Sequence, residues 1–226
     1  MTDPAGRQND DQRVRDIAAR LAEVQPASRK VRRDPLDELV LTILSQSTSD
    51  ANCYRAWEAL RSRYGGWEEV LDAPKGQVEE TIRPAGLSKQ KSATILDVLA
   101  RLRNEHGSLT LDHLEDLDDA EALEYLTSFK GVGVKTAACV LCFSMDRDVI
   151  PVDTHVHRIA VRLGLVPEKA SAVRTHEILN EIVPPKLRYE LHVLMIGHGR
   201  RTCAARSPRC PDCAIGALCP KVGLPD

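Results

Sequence analysis

What most constrains the fold of this chain is a spacing that it lacks. No segment alternates apolar and polar residues in the period-two manner of a strand, whereas apolar residues recur at helical spacing between Gly, Pro and Asp breaks. In "DPLDELVLTIL", Asp34 is placed to cap a helix and Pro35 to open it, and Leu36, Leu39, Val40, Ile43 and Leu44 follow at helical spacing up to "SQSTSD". A second helix follows Asp50, with Cys53, Trp57, Leu60 and Tyr64 on one face, and stops at "GG". "SKQKSATILDVLARLRNEHG" reads as a helix capped by Ser88 and closed by Gly107. Further helices are expected at 119–127, 134–145, 154–163, 169–182 and 186–199. The expectation is an all-α protein of about ten helices.

With 226 residues the chain can bury one large core or two small ones. No apolar run is long enough to span a membrane, and the first dozen residues lack the apolar stretch of a secretory signal. A soluble, cytoplasmic monomer with a mobile N-terminal tail is expected. The formal net charge of -2 decides nothing about nucleic acid, because phosphate binding depends on a local patch.

The stretch "FKGVGVKTAACVL" carries more chemistry. A helix ending near Phe129, the link "KGVG" and a helix starting near Val134 make a helix-hairpin-helix. Gly131 and Gly133 then supply backbone that other residues could not adopt, so that bare amides and the positive end of the next helix can meet a phosphate. Lys135 sits in the first turn of that helix, where an ammonium opposes the dipole, so its placement costs stability and asks for a reason. Nucleophilic attack and Schiff-base formation by a lysine amine are one such reason. Eighteen residues on, Asp153 in "IPVDTHVHRIAVRL" reads on its own as a helix cap.

Four of the seven cysteines crowd the C-terminus: Cys203, Cys210, Cys213 and Cys219, spaced x6, x2 and x5. Four thiolates suit zinc or an iron-sulfur cluster, and the single short pair favours a 4Fe-4S cluster. Cys139 and Cys142 lie three apart on an apolar helix and read as core thiols.

From about residue 13 to Cys219 the sequence resembles the endonuclease III family of base-excision DNA glycosylases. "GVGVKTA" looks like the family's hairpin with its catalytic lysine at Lys135, "VDTH" resembles the segment holding the catalytic aspartate, here Asp153, and the cysteine spacing is the family's cluster pattern. "LSQSTSD" is similar to the helix end whose glutamine, here Gln46, enters the duplex beside the orphaned base. "AGLSKQKSATI" resembles the loop whose leucine, here Leu87, wedges into the base stack. The resemblance implies a helical barrel over 27–147 that contains the hairpin. It also implies an iron-sulfur domain of 1–26 with 148–226, and a DNA-binding cleft between the two. The partner would be duplex DNA with damaged bases, pyrimidines foremost, or abasic sites. The activity would be bifunctional: base removal followed by a β-elimination nick through the lysine Schiff base.

Lys130 and the run "RRTCAARSPR", Arg206 within it, are expected to add phosphate contacts. Two rival readings are a monofunctional mismatch glycosylase and a noncatalytic DNA-binding iron-sulfur module. Lys135 argues against the first, and Lys135 together with Asp153 against the second.

Overall fold

The computed structural model describes residues 4–25 and 30–224, and every regular element among them is helical. In chain order the α-helices are α1 (Pro4–Val24), α2 (Pro35–Ser45), α3 (Asp50–Arg63), α4 (Trp67–Leu71), α5 (Gln77–Thr81) and α6 (Ser88–His106). These are followed by α7 (Asp119–Thr127), α8 (Val134–Phe143), α9 (Thr154–Arg162), α10 (Ala172–Ile182) and α11 (Arg188–Arg201). They fall into two compact units, one of Arg32–Arg147 and one of the segments up to Val31 and from Asp148 onward. The boundary expected between residues 26 and 27 lies outside the described residues.

The Arg32–Arg147 unit is built around α2 and α8. Asp34 caps α2 as its sequence position predicts, its Oδ1 accepting from the amides of Leu36 at 2.9 Å and Asp37 at 3.3 Å. Every residue from Leu39 to Leu44 is buried, so α2 runs through the middle of the unit rather than along its surface. On α8, Thr136 to Cys142 are buried in the same way, and Ala137 and Ala138 let its backbone lie close against α2. Cys139 and Cys142 are 2% and 1% exposed within this core, the place of packing thiols. Helices α3 and α6 flank α2, and α7 flanks α8. Helices α4 and α5 are single turns of five residues, too short to leave a periodic mark in the sequence.

The other unit packs α1 against α10 and α11, with α9 on the same two helices. Val14, Ile17, Ala18 and Leu21 recur at i, i+3, i+4, i+7 and are at most 3% exposed against Val156, Ile159, Leu191 and Leu194. Each fully buried Leu, Ile or Val contributes roughly 1.5–3 kcal/mol.

The start of α1 corrects the expectation of a mobile tail, since the helix begins at Pro4. Arg13 donates to the carbonyls of Leu163 and Leu218, and the pairs Gln12–Asp16 (2.9 Å) and Asp11–Arg15 (3.1 Å) carry the helix upstream of its buried stripe. No helix among the described residues is long and apolar enough to cross a membrane.

Candidate active site and cysteine cavity

The hairpin of the Arg32–Arg147 unit places Lys135. Phe129 is buried just past the C-cap of α7, and Val132 N donates to Phe129 O at 3.1 Å to close the link. Gly131 has φ +87, and a Cβ there would lie 2.6 Å from Thr94 Oγ1, so both backbone and space demand glycine. Gly133 departs from expectation: at φ -96 and ψ 172 it is extended backbone that any residue adopts, and a Cβ would meet nothing within 4 Å. Its missing side chain matters for what it leaves open. Gly133 is the N-cap of α8 and offers no side-chain cap, so the first-turn amides are left for an outside anion. Lys135 is half-buried in that turn, and Lys130 is exposed on the link.

Gln46 and Leu87 lie in the same unit. Gln46 follows the last residue of α2, and its Nε2 donates to Gly131 O (3.3 Å) and Thr136 Oγ1 (3.4 Å), which ties it to the hairpin. Ser47, next in the chain, has φ 51. Leu87 has φ 48 and is 56% exposed, a large apolar side chain in water on a backbone that leucine rarely adopts. It is the N-cap of α6 without a side-chain cap bond, so Ser88 is the first residue of the helix and not its expected cap.

Behind both residues is Lys91, which sequence reasoning missed. It is 2% exposed, and its Nζ donates to Leu44 O and Ala85 O, each at 2.8 Å. Burial pushes its pKa down. The signal that could have exposed it is register: Lys91 stands in the stripe of Ile95, Val98, Leu99 and Leu102 that α6 buries.

The other unit carries Asp153 and the four C-terminal cysteines. Asp153 caps α9, with Oδ1 accepting from His155 N (2.9 Å) and Val156 N (2.8 Å) and Oδ2 outside the cap. Asp153 is half-buried, and it belongs to a different unit from Lys135. Cys203, Cys210, Cys213 and Cys219 line one cavity together with Ile159, Arg162 and His198. Arg162 is 7% exposed and donates to Cys203 Sγ (3.2 Å), Ala204 O (2.7 Å) and Ala205 O (3.0 Å). Burial chiefly, with the neighbouring cysteines adding, pushes the Cys213 and Cys219 thiols up. His198, 3.6 Å from Cys213 Sγ, is pushed down to about 4 by burial and then by Arg201 and Arg158. Among the described residues no group of three His, Cys, Asp or Glu is placed to hold a single metal ion. Four thiols around one cavity, one of them already accepting from a buried guanidinium, form a donor set that suits a multi-iron group.

The basic run closes on itself. Arg209 N donates to Thr202 O at 3.0 Å, and the Arg209 guanidinium donates to Arg201 O, which brings the two ends of the run together. Arg200, Arg201, Arg206 and Arg209 are all exposed.

Residues 40–185 match the family described as HhH-GPD superfamily base excision DNA repair protein. The chain is 31% identical over 206 residues to endonuclease III of Thermotoga maritima, with 91% of this chain and 92% of that one covered. It is also 39% identical over 193 residues to a DNA glycosylase homologue of Arabidopsis thaliana, which covers 84% of this chain and 63% of the relative, so it spans less than two thirds of that protein. Among solved structures it is similar to a trapped covalent intermediate of endonuclease III with DNA. The TM-score is 0.79 at 29% identity, with 93% of this chain and 96% of that chain covered.

Proposed function

Since the chain belongs to the endonuclease III family of the HhH-GPD superfamily of base excision DNA repair proteins, we propose that it is a bifunctional DNA glycosylase and abasic-site lyase. Its substrate would be duplex DNA carrying damaged bases, oxidised pyrimidines foremost. The observation that carries this is Lys135, a half-buried amine in the uncapped first turn of α8, beside a hairpin that Gln46 braces. The structural relative trapped as a covalent intermediate with DNA supports the same chemistry.

In this reading the hairpin amides and Lys130 hold the strand by its phosphates, which fixes register without reading sequence. Leu87 enters the stack and Gln46 fills the space left by the extruded nucleotide, which lowers the cost of flipping. The Lys135 amine bonds to the sugar C1′ and gives up a proton as the glycosidic bond breaks, and the base leaves with the electron pair and takes up a proton. Asp153 stabilises the positive charge that develops on the sugar. The sugar ring then opens: C1′–O4′ breaks, O4′ takes up a proton, and the C1′=N Schiff base so formed makes the C2′ proton acidic. Its loss expels the 3′ phosphate, and water then frees Lys135.

Cys203, Cys210, Cys213 and Cys219 are the ligands for a 4Fe-4S cluster. When bound it would cross-link the C-terminal loop and offer a one-electron couple. Arg162 donates to Cys203 Sγ, which orients that side chain and would offset the negative charge of a bound cluster.

Borohydride reduction in the presence of an abasic duplex tests the proposal. A protein–DNA adduct is expected from the wild type and none from Lys135→Gln. An adduct formed by the variant at the wild-type rate would assign the nucleophile elsewhere.

A further inference from the structure

Lys91 is a buried ammonium whose two partners are both carbonyls. Taking such a charge out of water is costly unless strong hydrogen bonds replace hydration. Its own helix adds to the cost, because Lys91 follows the first turn of α6, where the dipole repels a cation.

The two carbonyls explain the placement. Leu44 O is among the last four carbonyls of α2, which have no partner within the helix and stand at its negative end. Ala85 is the last residue of the 3-10 turn Arg83–Ala85, which Gly86 N closes on Arg83 O at 3.1 Å. Two residues beyond Leu44 is Gln46, and two beyond Ala85 is Leu87. Each carbonyl also lies just upstream of a non-glycine residue in left-handed backbone, Ser47 at φ 51 and Leu87 at φ 48. Strained residues of this kind persist only where the surroundings over-determine them. Lys91 N, in turn, donates to Leu87 O at 3.0 Å, so the same residue bonds the strained leucine through its backbone.

We propose that Lys91 is a positioning residue that joins the end of α2 to the Arg83–Ala85 turn just before Leu87 and so sets Gln46 and Leu87 at one fixed separation for entry into the duplex. It touches no reacting atom. Its effect is on unstacking and not on the attack at C1′. The inference rests on the proposed function for the roles of Gln46 and Leu87, but its test does not need bond cleavage.

The probe is a duplex with a tetrahydrofuran abasic analogue, which cannot be cut, flanked by 2-aminopurine, whose fluorescence rises on unstacking. Wild-type protein should raise the fluorescence, and Leu87→Ala should not. Lys91→Met, which keeps the stem and removes the ammonium, should lose most of the rise. The weight of hydrogen bonds to a charged group corresponds to a loss of roughly tenfold or more in the unstacked population. Trapping on a single-stranded abasic oligonucleotide, where there is no stack to open, should stay within about twofold of wild type.

Thermal melting reports whether Lys91→Met folds. If it does not, Lys91→Gln, which keeps N–H donors on a shorter stem, takes its place and should show an intermediate rise. A full fluorescence rise in a folded Lys91 variant would overturn the proposal, as would an equal loss on duplex and single strand. Wild-type protein that unstacks the probe but never traps abasic DNA would overturn the proposed lyase and leave the role of Lys91 standing.

Discussion

Thr94 on α6 occupies the space that a side chain at Gly131 would need, with only 2.6 Å between Thr94 Oγ1 and the position of a Cβ at residue 131. The clash adds to the left-handed φ of +87, so Gly131→Ala should destabilise the fold by about 1–3 kcal/mol, read from urea melts. Adding Thr94→Ala relieves the contact but not the dihedral, and should restore only part of the loss. Gly133→Ala is the contrast. Its extended backbone and open surroundings predict a stability change within about 0.5 kcal/mol. DNA affinity should still fall, because a methyl group there stands before the amides of α8. Normal affinity in Gly133→Ala would take the phosphate site away from this turn.

Asp153 caps α9, and substitution can separate that cap from the catalytic role proposed for it. Asn caps a helix about as well as Asp, so Asp153→Asn should melt like the wild type. Its base excision should drop by about a hundredfold or more, since the lost charge acts on the transition state. Asp153→Ala should lose the activity and also about 0.5–2 kcal/mol of stability. An Asn variant with full activity would make Asp153 a cap and nothing more.

The legibility of the chain followed the range of the forces involved. Helix α7 is as expected at both ends because its signals are local: Asp118 accepts from Ala120 and Glu121, and Glu121 reaches back to Asp118 N. The left-handed N-cap at Leu87 was not legible, because its surroundings are not local: Lys91 bonds Ala85 O two residues before it and also Leu44 O on α2, 47 residues from Lys91 in sequence. Gly133 misled for a related reason. A glycine in sequence does not say whether it serves a dihedral, as Gly131 does, or a vacancy beside the backbone.

The buried imidazole of His176 gives a pH dependence of known sign. Burial chiefly pushes its pKa below the ordinary value of about 6.5, while its Nδ1 lies 3.0 Å from Ile150 O. The unfolded chain therefore binds a proton near pH 6.5 that the folded chain does not. The stability that His176 contributes is present above that pH and is lost as pH falls below it. In melts at pH 7.5 and 5.5, His176→Gln should lose less than wild type. An equal loss in both would assign the acid sensitivity to other groups.

Two sets of cysteines should part cleanly on metal content. Protein purified without oxygen is expected to be brown and to hold about four irons per chain. Cys213→Ser should lose iron and melt earlier, because the ligands come from one short loop. Cys139→Ala, in the core between helices of the other unit, should keep its iron and lose only packing. Colourless wild-type protein with a single zinc would replace the cluster by a mononuclear site.

A net charge of -2 is compatible with binding a polyanion where positive charge is concentrated locally. The run from Arg200 to Arg209 contains four exposed arginines and no acid, and the Arg209 bonds to Thr202 and Arg201 draw its ends together. If this run, Lys130 and the hairpin amides are the phosphate contacts proposed above, they should supply ~4 to 6 of them and give a slope of roughly -4 to -5 in log K against log salt. Arg206→Ala should weaken binding to damaged and undamaged duplex alike and make the slope shallower by about one, because a phosphate contact carries no information about the lesion. Titrations from low to physiological salt with both duplexes measure this directly. If affinity and slope both stay at wild-type values, the arginine loop faces water and the DNA takes another path.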